Sequence, residues 1–206
     1  MKSGIIILSE LRGPVREHVL DIQRRFDPKL AALASPHVTI TGSSGTGPIS
    51  STMTASALRS ALEPIARETE PMTLPFLRPM RFMQSNIVVL PLDPNGPIRA
   101  LHERIKSSGL LFEQPRFTFT PHVTLSFFRE LTPDDTRALL ALRVDEPVTI
   151  DHIAAYRTVD ITNSKKILEL SFVTRAAQSA TLESPTVLSA SRKASKALNP
   201  GVRKHD

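Results

Sequence analysis

The chain has 206 residues, of which 40% are hydrophobic, a composition that can form a sizeable buried core and excludes a disordered protein. It contains no cysteine, which excludes disulfides, Fe–S clusters, thiolate zinc sites and cysteine nucleophiles. The net charge of +6 is uneven, because residues 175–206 contain six Lys or Arg residues against two acidic ones and contribute +4 of it.

The N-terminal segment predicts neither a membrane span nor a secretory signal. Its apolar run, Ile5 to Leu8, has four residues, far fewer than either would need. We therefore expect a soluble, cytoplasmic protein that has no membrane partner and is a monomer.

The first half of the chain predicts the order strand, helix, strand, helix. Residues 5–8 are β-branched and bounded by Gly and Ser, which is typical of a buried strand, and residues 14–26 carry apolar side chains at helical spacing. Asp27 and Pro28 are expected to end that helix. The following elements are a strand at 37–41, a Gly/Ser-rich loop at 42–51 and a helix at 54–70.

The second half predicts the same order after an extended stretch at 72–82 that is interrupted by prolines, which favours an edge strand or a connection. Its predicted elements are a strand at 87–92, a helix at 97–108, a strand at 117–128, a helix at 133–142 with Thr132 as N-cap, and strands near 148–157 and 167–173. The matching order indicates an internal duplication.

Residues 175–206 differ from the rest of the chain in composition. They are rich in Ser, Ala and basic residues, with few large apolar side chains, which is typical of a disordered tail. Such a tail is either a solvated terminus, the interpretation we favour, or a weak electrostatic arm for RNA. The predicted folded domain is residues 1–174.

Two nearly identical pentapeptides begin with Pro36 and Pro121 and read Pro-His-Val-Thr-Ile and Pro-His-Val-Thr-Leu. Each lies on the second strand of its half. Because alternate side chains of a strand share a face, His37 and Thr39 project to one side, as do His122 and Thr124. The aliphatic residues between and after them face the core, so each motif sends an imidazole and a hydroxyl into one space.

This pattern favours phosphodiester chemistry. One neutral imidazole can take a proton from an attacking hydroxyl or water while an imidazolium gives a proton to the leaving oxygen. Threonine hydroxyls can donate hydrogen bonds to the non-bridging phosphate oxygens. We expect no metal and no cofactor, because neither motif has a carboxylate or second His at ligand spacing. We expect His18, His102, His152 and His205 to be non-catalytic.

At these residues the sequence resembles the 2H phosphoesterase superfamily, which includes 2′-5′ RNA ligase/RNA 2′,3′-cyclic phosphodiesterase proteins. The resemblance rests on the paired His37/Thr39 and His122/Thr124 motifs and covers roughly residues 3 to 174. It implies an α+β fold of two pseudo-symmetric lobes, each with a mainly antiparallel sheet flanked by helices, around a cleft. It also implies His37 and His122 as catalytic residues and Thr39 and Thr124 as phosphate-binding residues.

The activity that the resemblance implies is metal-independent hydrolysis of RNA-type 2′,3′-cyclic phosphates to a 2′-phosphate, with 2′-5′ RNA ligation as an additional expectation. The substrate would be an RNA end or a small nucleotide, and Tyr156 and Phe128 are candidates to stack on its base. Alternatives are a phosphodiesterase for 2′,5′-oligoadenylate or a small cyclic-phosphate metabolite, and a non-catalytic RNA-binding module. Many ligase-type members carry a basic residue shortly after the second motif, where this chain has Ser126-Phe127-Phe128 before Arg129.

Overall fold

The structure is a computed structural model that describes residues 3–42, 44–83, 85–160 and 162–173. The tail predicted at 175–206 lies outside these residues. In chain order the elements are β1 (Gly4–Glu10), α1 (Gly13–Phe26), α2 (Pro28–Leu33), β2 (His37–Thr41), α3 (Ala55–Arg67), β3 (Met72–Leu74), β4 (Met80–Arg81), β5 (Val88–Pro91), α4 (Pro97–Lys106), β6 (His122–Ser126), α5 (Pro133–Ala141), β7 (Val148–Ile150), β8 (His152–Thr158) and β9 (Ser164–Ser171).

The strands form three sheets in which neighbouring strands are antiparallel. The largest has the order β2-β1-β8-β9, the second has the order β4-β5-β6, and β3 pairs with β7. Helices flank these sheets, and one buried hydrophobic cluster joins side chains of β1, β2, β5 and β6 with those of α1, α3 and α4. The predicted α+β class with antiparallel sheets is confirmed. Among the described residues, no helix is both long and apolar enough to cross a membrane.

The two motif strands pair with their neighbours in the same register. His37, the first residue of β2, lies opposite Glu10, the last residue of β1. His122, the first residue of β6, lies opposite Pro91, the last residue of β5. In both pairs the register shifts by one residue just after the motif threonine. This shared irregularity is what an internal duplication predicts, because a bulge is a specific local feature.

A helix from each half bonds to the motif strand of the other half. Gln23 of α1 is buried, and its Nε2 donates a hydrogen bond of 2.8 Å to the carbonyl of Thr124. His102 of α4 is 1% exposed, and its Nδ1 lies 2.7 Å from the carbonyl oxygen of Ile40. Because these buried groups are satisfied only across the two halves, each motif strand is held by the opposite half.

Two helices begin at threonine caps. Thr54 accepts a hydrogen bond from the amide of Ala57 at the start of α3, and Thr132 accepts one from the amide of Asp135 at the start of α5. Asp27 ends α1 as expected, but its carboxylate also accepts a bond of 3.1 Å from the amide of Leu30 and so caps α2, which the sequence did not predict.

The strand predicted at 117–128 is wrong at both ends, since β6 contains only residues 122–126. Before it, Phe117 bonds to the Gly-rich loop, where the Gly45 amide donates to its carbonyl over 2.9 Å. After it, the amides of Phe127 and Phe128 donate to the carboxylate of Asp27 over 2.7 and 2.6 Å and leave the sheet. The strand predicted near 148–157 is likewise two strands, β7 and β8, which join different sheets.

We predict that Asp27→Ala lowers the free energy of unfolding by about 2 to 4 kcal/mol, because three backbone amides lose a charged acceptor at a buried position. Urea titration monitored by circular dichroism measures this. The matched control is Asp21→Ala on the exposed face of α1, where the ion pair with Arg24 is solvated and the change should stay below about 0.5 kcal/mol. Equal effects of the two substitutions would contradict the role given to Asp27.

Candidate active site

The two motifs line one cleft. In both strands the His and Thr side chains are half-buried, while the valine and the aliphatic residue after the threonine are fully buried. This is the alternation that the sequence predicts for a strand. The cleft has a volume of about 800 Å³ and is lined by His37, Thr39, His122 and Thr124 together with residues of β1, β8, α2 and the β4–β5 hairpin. The structure therefore brings together the four residues that the motifs single out.

The two imidazoles are held in the same way. Nδ1 of His37 lies 2.8 Å from the carbonyl oxygen of Ser35, and Nδ1 of His122 lies 2.7 Å from the carbonyl oxygen of Thr120. A carbonyl oxygen only accepts, so both Nδ1 atoms carry the proton. In a neutral imidazole this leaves Nε2 as the nitrogen with a free lone pair, and both rings present the same nitrogen for proton transfer.

Burial lowers the pKa of both histidines from its ordinary value. For His37, the bond to Ser35 and the negative charge of Glu10 oppose this effect. For His122, the bond to Thr120 opposes it, but a positive charge on His37 lowers the pKa further. A proton on His37 therefore disfavours one on His122. Among the described residues, a carboxylate raises the pKa of His37 but none contributes to that of His122, so Glu10 favours protonation of His37.

Glu10 belongs to a small polar cluster beside His37. Tyr156 donates a hydrogen bond of 2.8 Å from its hydroxyl to Oε1 of Glu10, and Lys166 bonds to the other oxygen. Burial opposes ionisation, but these bonds hold the pKa of Glu10 below its usual value, while burial and Glu10 raise the pKa of Tyr156 to about 12. Glu10 is thus an anion at neutral pH. Its counterpart in the other half is Pro91, and among the described residues no carboxylate shifts the pKa of the second imidazole.

The aromatic side chains of the cleft are only partly those expected. Tyr156 and Phe128 both line it, as do Phe82, Phe117 and Phe127. Phe82 lies edge-on to His122 with ring centroids 5.1 Å apart. Tyr156 pairs with Ile6 on β1, and Phe82 bonds through its amide to Ile87 just before β5, so the two rings occupy similar places in the two sheets.

Sequence reasoning missed Glu10 and Phe82. Glu10 lies beyond the strand predicted at 5–8, since β1 extends to Glu10, and nothing in a sequence states which residue lies opposite which across a sheet. The available signal for Glu10 was its alternation with Ile6 and Leu8 along β1, since all three line the cleft. Phe82 gave no such signal, because the prolines of residues 72–82 interrupt any alternation, and it follows the short strand β4.

The other histidines lie elsewhere. His102 is packed against Phe119, His152 is buried with Nδ1 2.6 Å from Asp151, and His18 pairs with Glu146 at the surface. His205 lies outside the described residues. Within the described ranges, no group of three or more His, Asp or Glu side chains is arranged to hold a metal ion.

The class of protein is defined by the fold and the site together: an α+β protein in which two antiparallel sheets each present a His-x-Thr strand to one cleft. Residues 11–161 match the family described as the 2′-5′ RNA ligase superfamily, and the chain belongs to that family. The predicted family resemblance is therefore confirmed.

Among curated proteins, the chain is 32% identical over 126 residues to a Geobacillus kaustophilus protein named "Putative phosphoesterase GK0864", covering 61% of this chain and 68% of that protein. A Bacillus pumilus protein of the same description is 29% identical over 157 residues, covering 73% and 85% of the two chains. The names of these relatives support the assignment of this chain as a phosphoesterase.

Among solved structures, the fold is similar to that of E. coli LigT complexed with 3′-AMP, with a TM-score of 0.55 and 16% identity, covering 84% of this chain and 100% of that one. It is also similar to TT0787 of Thermus thermophilus, with a TM-score of 0.57 and 11% identity, covering 82% and 97%. At these identities the likeness concerns the fold.

We predict that both imidazoles titrate below the ordinary histidine pKa near 6.5 and that each carries its proton on Nδ1 when neutral. Long-range ¹H–¹⁵N correlation spectra recorded against pH measure both properties. A pKa above 6.5 for both cleft histidines, or an Nε2-protonated tautomer, would contradict the prediction.

Proposed function

We propose that this protein is a metal-independent phosphodiesterase that opens RNA-type 2′,3′-cyclic phosphates and leaves a 2′-phosphate. The observation that carries the proposal is the pair of imidazoles in one cleft, each fixed through Nδ1 and each with Nε2 available. Membership of the 2′-5′ RNA ligase superfamily supports it, as does the nucleotide bound by LigT of similar fold.

In this reaction the neutral His122 takes a proton from water through Nε2, and the oxygen of that water attacks phosphorus. The bond between phosphorus and the ribose 3′-oxygen breaks, and the protonated His37 gives its proton to that oxygen. The hydroxyls of Thr39 and Thr124 donate hydrogen bonds to the non-bridging oxygens as negative charge builds on them. The water supplies both the new oxygen and the proton that restores the pair, so the step balances without a metal.

Glu10 supports the assignment of His37 as the acid. Its carboxylate favours a positive charge on His37, and protonated His37 in turn disfavours one on His122. In the reverse direction the roles exchange: His37 takes the proton of the 3′-hydroxyl, which attacks the 2′-phosphate, and His122 protonates the departing water. Ligation of a 2′,3′-cyclic phosphate end would instead run in the forward direction, with a 5′-hydroxyl in place of water and the 3′-oxygen as leaving group. Hydrolysis of 2′,5′-oligoadenylate would use the same groups, and a non-catalytic RNA-binding module would use neither imidazole for proton transfer.

Tyr156 and Phe128 are proposed to contact the nucleobase. Both rings border the cleft, but they are held differently: Tyr156 is fixed by its bond to Glu10, while Lys29 lies 4.6 Å over the face of Phe128. Stacking accepts any base, which suits an enzyme that tolerates many sequences. A KM for cyclic nucleotides that Tyr156→Phe leaves unchanged and Tyr156→Ala raises would support a stacking role.

We predict that His37→Ala and His122→Ala each lower the rate of hydrolysis of a nucleoside 2′,3′-cyclic phosphate by at least about a hundredfold, because each removes a proton-transfer group. Thr39→Val and Thr124→Val should each cost about tenfold through one lost hydrogen bond to phosphate. The matched control is His18→Ala at the surface, which should keep near-normal turnover.

The hydrolytic activity should be unchanged by EDTA. Retained turnover in either cleft His variant would refute the proposed function, and recovery of EDTA-treated enzyme by a divalent cation would favour a metal mechanism.

We predict a bell-shaped dependence of kcat/KM on pH with its maximum below 6.5, since the pKa values of both imidazoles are lowered and one must be protonated. The roles separate on a p-nitrophenyl phosphodiester, whose leaving group departs without protonation. His37→Ala should then cost little, while His122→Ala remains costly. The opposite result would reverse the assignment.

A further inference from the structure

Three exposed apolar side chains line the cleft. Met83 is 91% exposed, Phe117 is 68% exposed and Leu33 is 38% exposed, and all three line it. They come from three separate segments: the β4–β5 hairpin, the connection before β6 and the helix α2. Exposed apolar surface gathered around a concave site is typical of ligand binding.

The apolar side chains continue from the mouth towards the histidines. On one side Phe82 and Ile87 extend the surface of Met83 down to the ring of His122. On the other, Leu30 of α2 borders the same cleft, and no residue of α2 is fully buried. The helix thus contributes an apolar face to the cleft in place of a core contact.

The cleft is lined by acidic side chains, whereas binding of a polyanion requires basic ones. Among the described residues, no Lys or Arg lines the cleft, whereas Glu10 and Asp160 do. Hydrogen bonds from Thr162 lower the pKa of Asp160, so this carboxyl is also ionised at neutral pH. Proteins that bind a nucleic-acid strand neutralise successive phosphates with Lys and Arg, and such a row of cations is missing from these walls.

Several cations close in sequence to lining residues are engaged with other groups. Arg16 donates to Ser35 over 3.3 Å and pairs with Glu17, and Lys166 is shared between two carboxylates. Arg129, which follows the second motif, pairs with Asp135 over 3.2 Å. Lys29 lies over the Phe128 ring at the rim of the cleft. It is a single positive charge and does not form a row that could bind successive phosphates.

We propose that the cleft takes a small phosphodiester that carries one negative charge and an apolar body, and that the end of a longer RNA chain is a poor substrate. This inference rests on the proposed function and names its substrate class. The imidazoles and threonines hold the charged phosphoryl group, and the apolar body lies against Phe82, Met83 and Phe117. The volume of about 800 Å³ suits a molecule of that size.

Direct binding tests this independently of turnover. The Kd values of dimethyl, methyl butyl and methyl hexyl phosphate are measured by isothermal titration calorimetry. We expect the Kd to fall about threefold for each added methylene up to butyl, a slightly smaller decrease than complete burial of each methylene would produce. A chain of hexyl length that ends in a carboxylate should bind no better than dimethyl phosphate. A Kd that does not change with alkyl length overturns the proposal. A carboxylate-ended chain that binds with the same Kd as the alkyl chain of equal length also overturns it.

Variants locate the binding surface. The pair Met83→Ala and Phe117→Ala should together weaken methyl butyl phosphate binding about tenfold, and both side chains are exposed enough to be removed without loss of folding. The matched control is Leu111→Ala, an apolar side chain that is 79% exposed and lies outside the lining. Unchanged binding by the double variant, or an equal loss from the control, overturns the assignment of these walls.

A kinetic comparison separates the two proposals. An oligonucleotide that ends in a 2′,3′-cyclic phosphate should have a kcat/KM no higher than the matching cyclic mononucleotide, with little change between low and physiological salt. An oligonucleotide preferred by about tenfold at low salt, and losing that preference as salt rises, overturns the substrate class and leaves the hydrolase intact. If no cyclic phosphate is hydrolysed but affinity rises with alkyl length, the proposed function fails and the substrate class stands.

Discussion

The alternation of side chains along β2 and β6 is the constraint on which the site depends. In each strand, one face is buried without exposed surface and the other carries His and Thr into the cleft. A shift of one residue would exchange the two faces and bury the imidazole. The buried valine and its aliphatic partner therefore do more than fill the core, because their burial fixes which residues meet the substrate. The bonds from Nδ1 to the carbonyls of Ser35 and Thr120 then orient each ring.

The two halves hold each other's motif strands. Gln23 reaches from α1 to the carbonyl of Thr124, His102 reaches from α4 to the carbonyl of Ile40, and Asp27 receives the amides that follow β6. These groups are buried, so leaving any of them unpaired costs the free energy of desolvation. The relative position of the two imidazoles therefore depends on folding of both halves. Each motif strand has a backbone carbonyl that is bonded by a side chain of the opposite half.

Within this repeated arrangement the chemistry is asymmetric. Glu10 lies opposite His37, where the other half has Pro91 opposite His122, and Tyr156 occupies the position that Phe82 has in the other sheet. The carboxylate of Glu10 therefore stands beside His37, whereas the aromatic ring of Phe82 stands beside His122. Two identical motifs can in this way divide the roles of acid and base, and the substrate can meet two different walls. In the proposed reaction the motifs supply the groups that transfer protons, whereas their neighbours across the sheets distinguish one group from the other.

The sequence by itself determined the elements that local chemistry controls. Thr54 and Thr132 mark helix starts through their own side chains, and strict alternation in the two pentapeptides places His and Thr on one face. The repeated motif, found twice, was enough to indicate the family and the four residues of the site. These features depend on neighbours along the chain, which a sequence states directly.

Tertiary structure decided the features that depend on partners far apart in sequence. The amides of Phe127 and Phe128 end β6 because Asp27, 100 residues earlier, receives them, and nothing local predicts that bond. The same holds for the register that places Glu10 beside His37 and for the approach of Phe82 to His122. Pairing across a sheet is selected by the burial of the whole core, so the electrostatic difference between the two imidazoles exists only once the chain has folded.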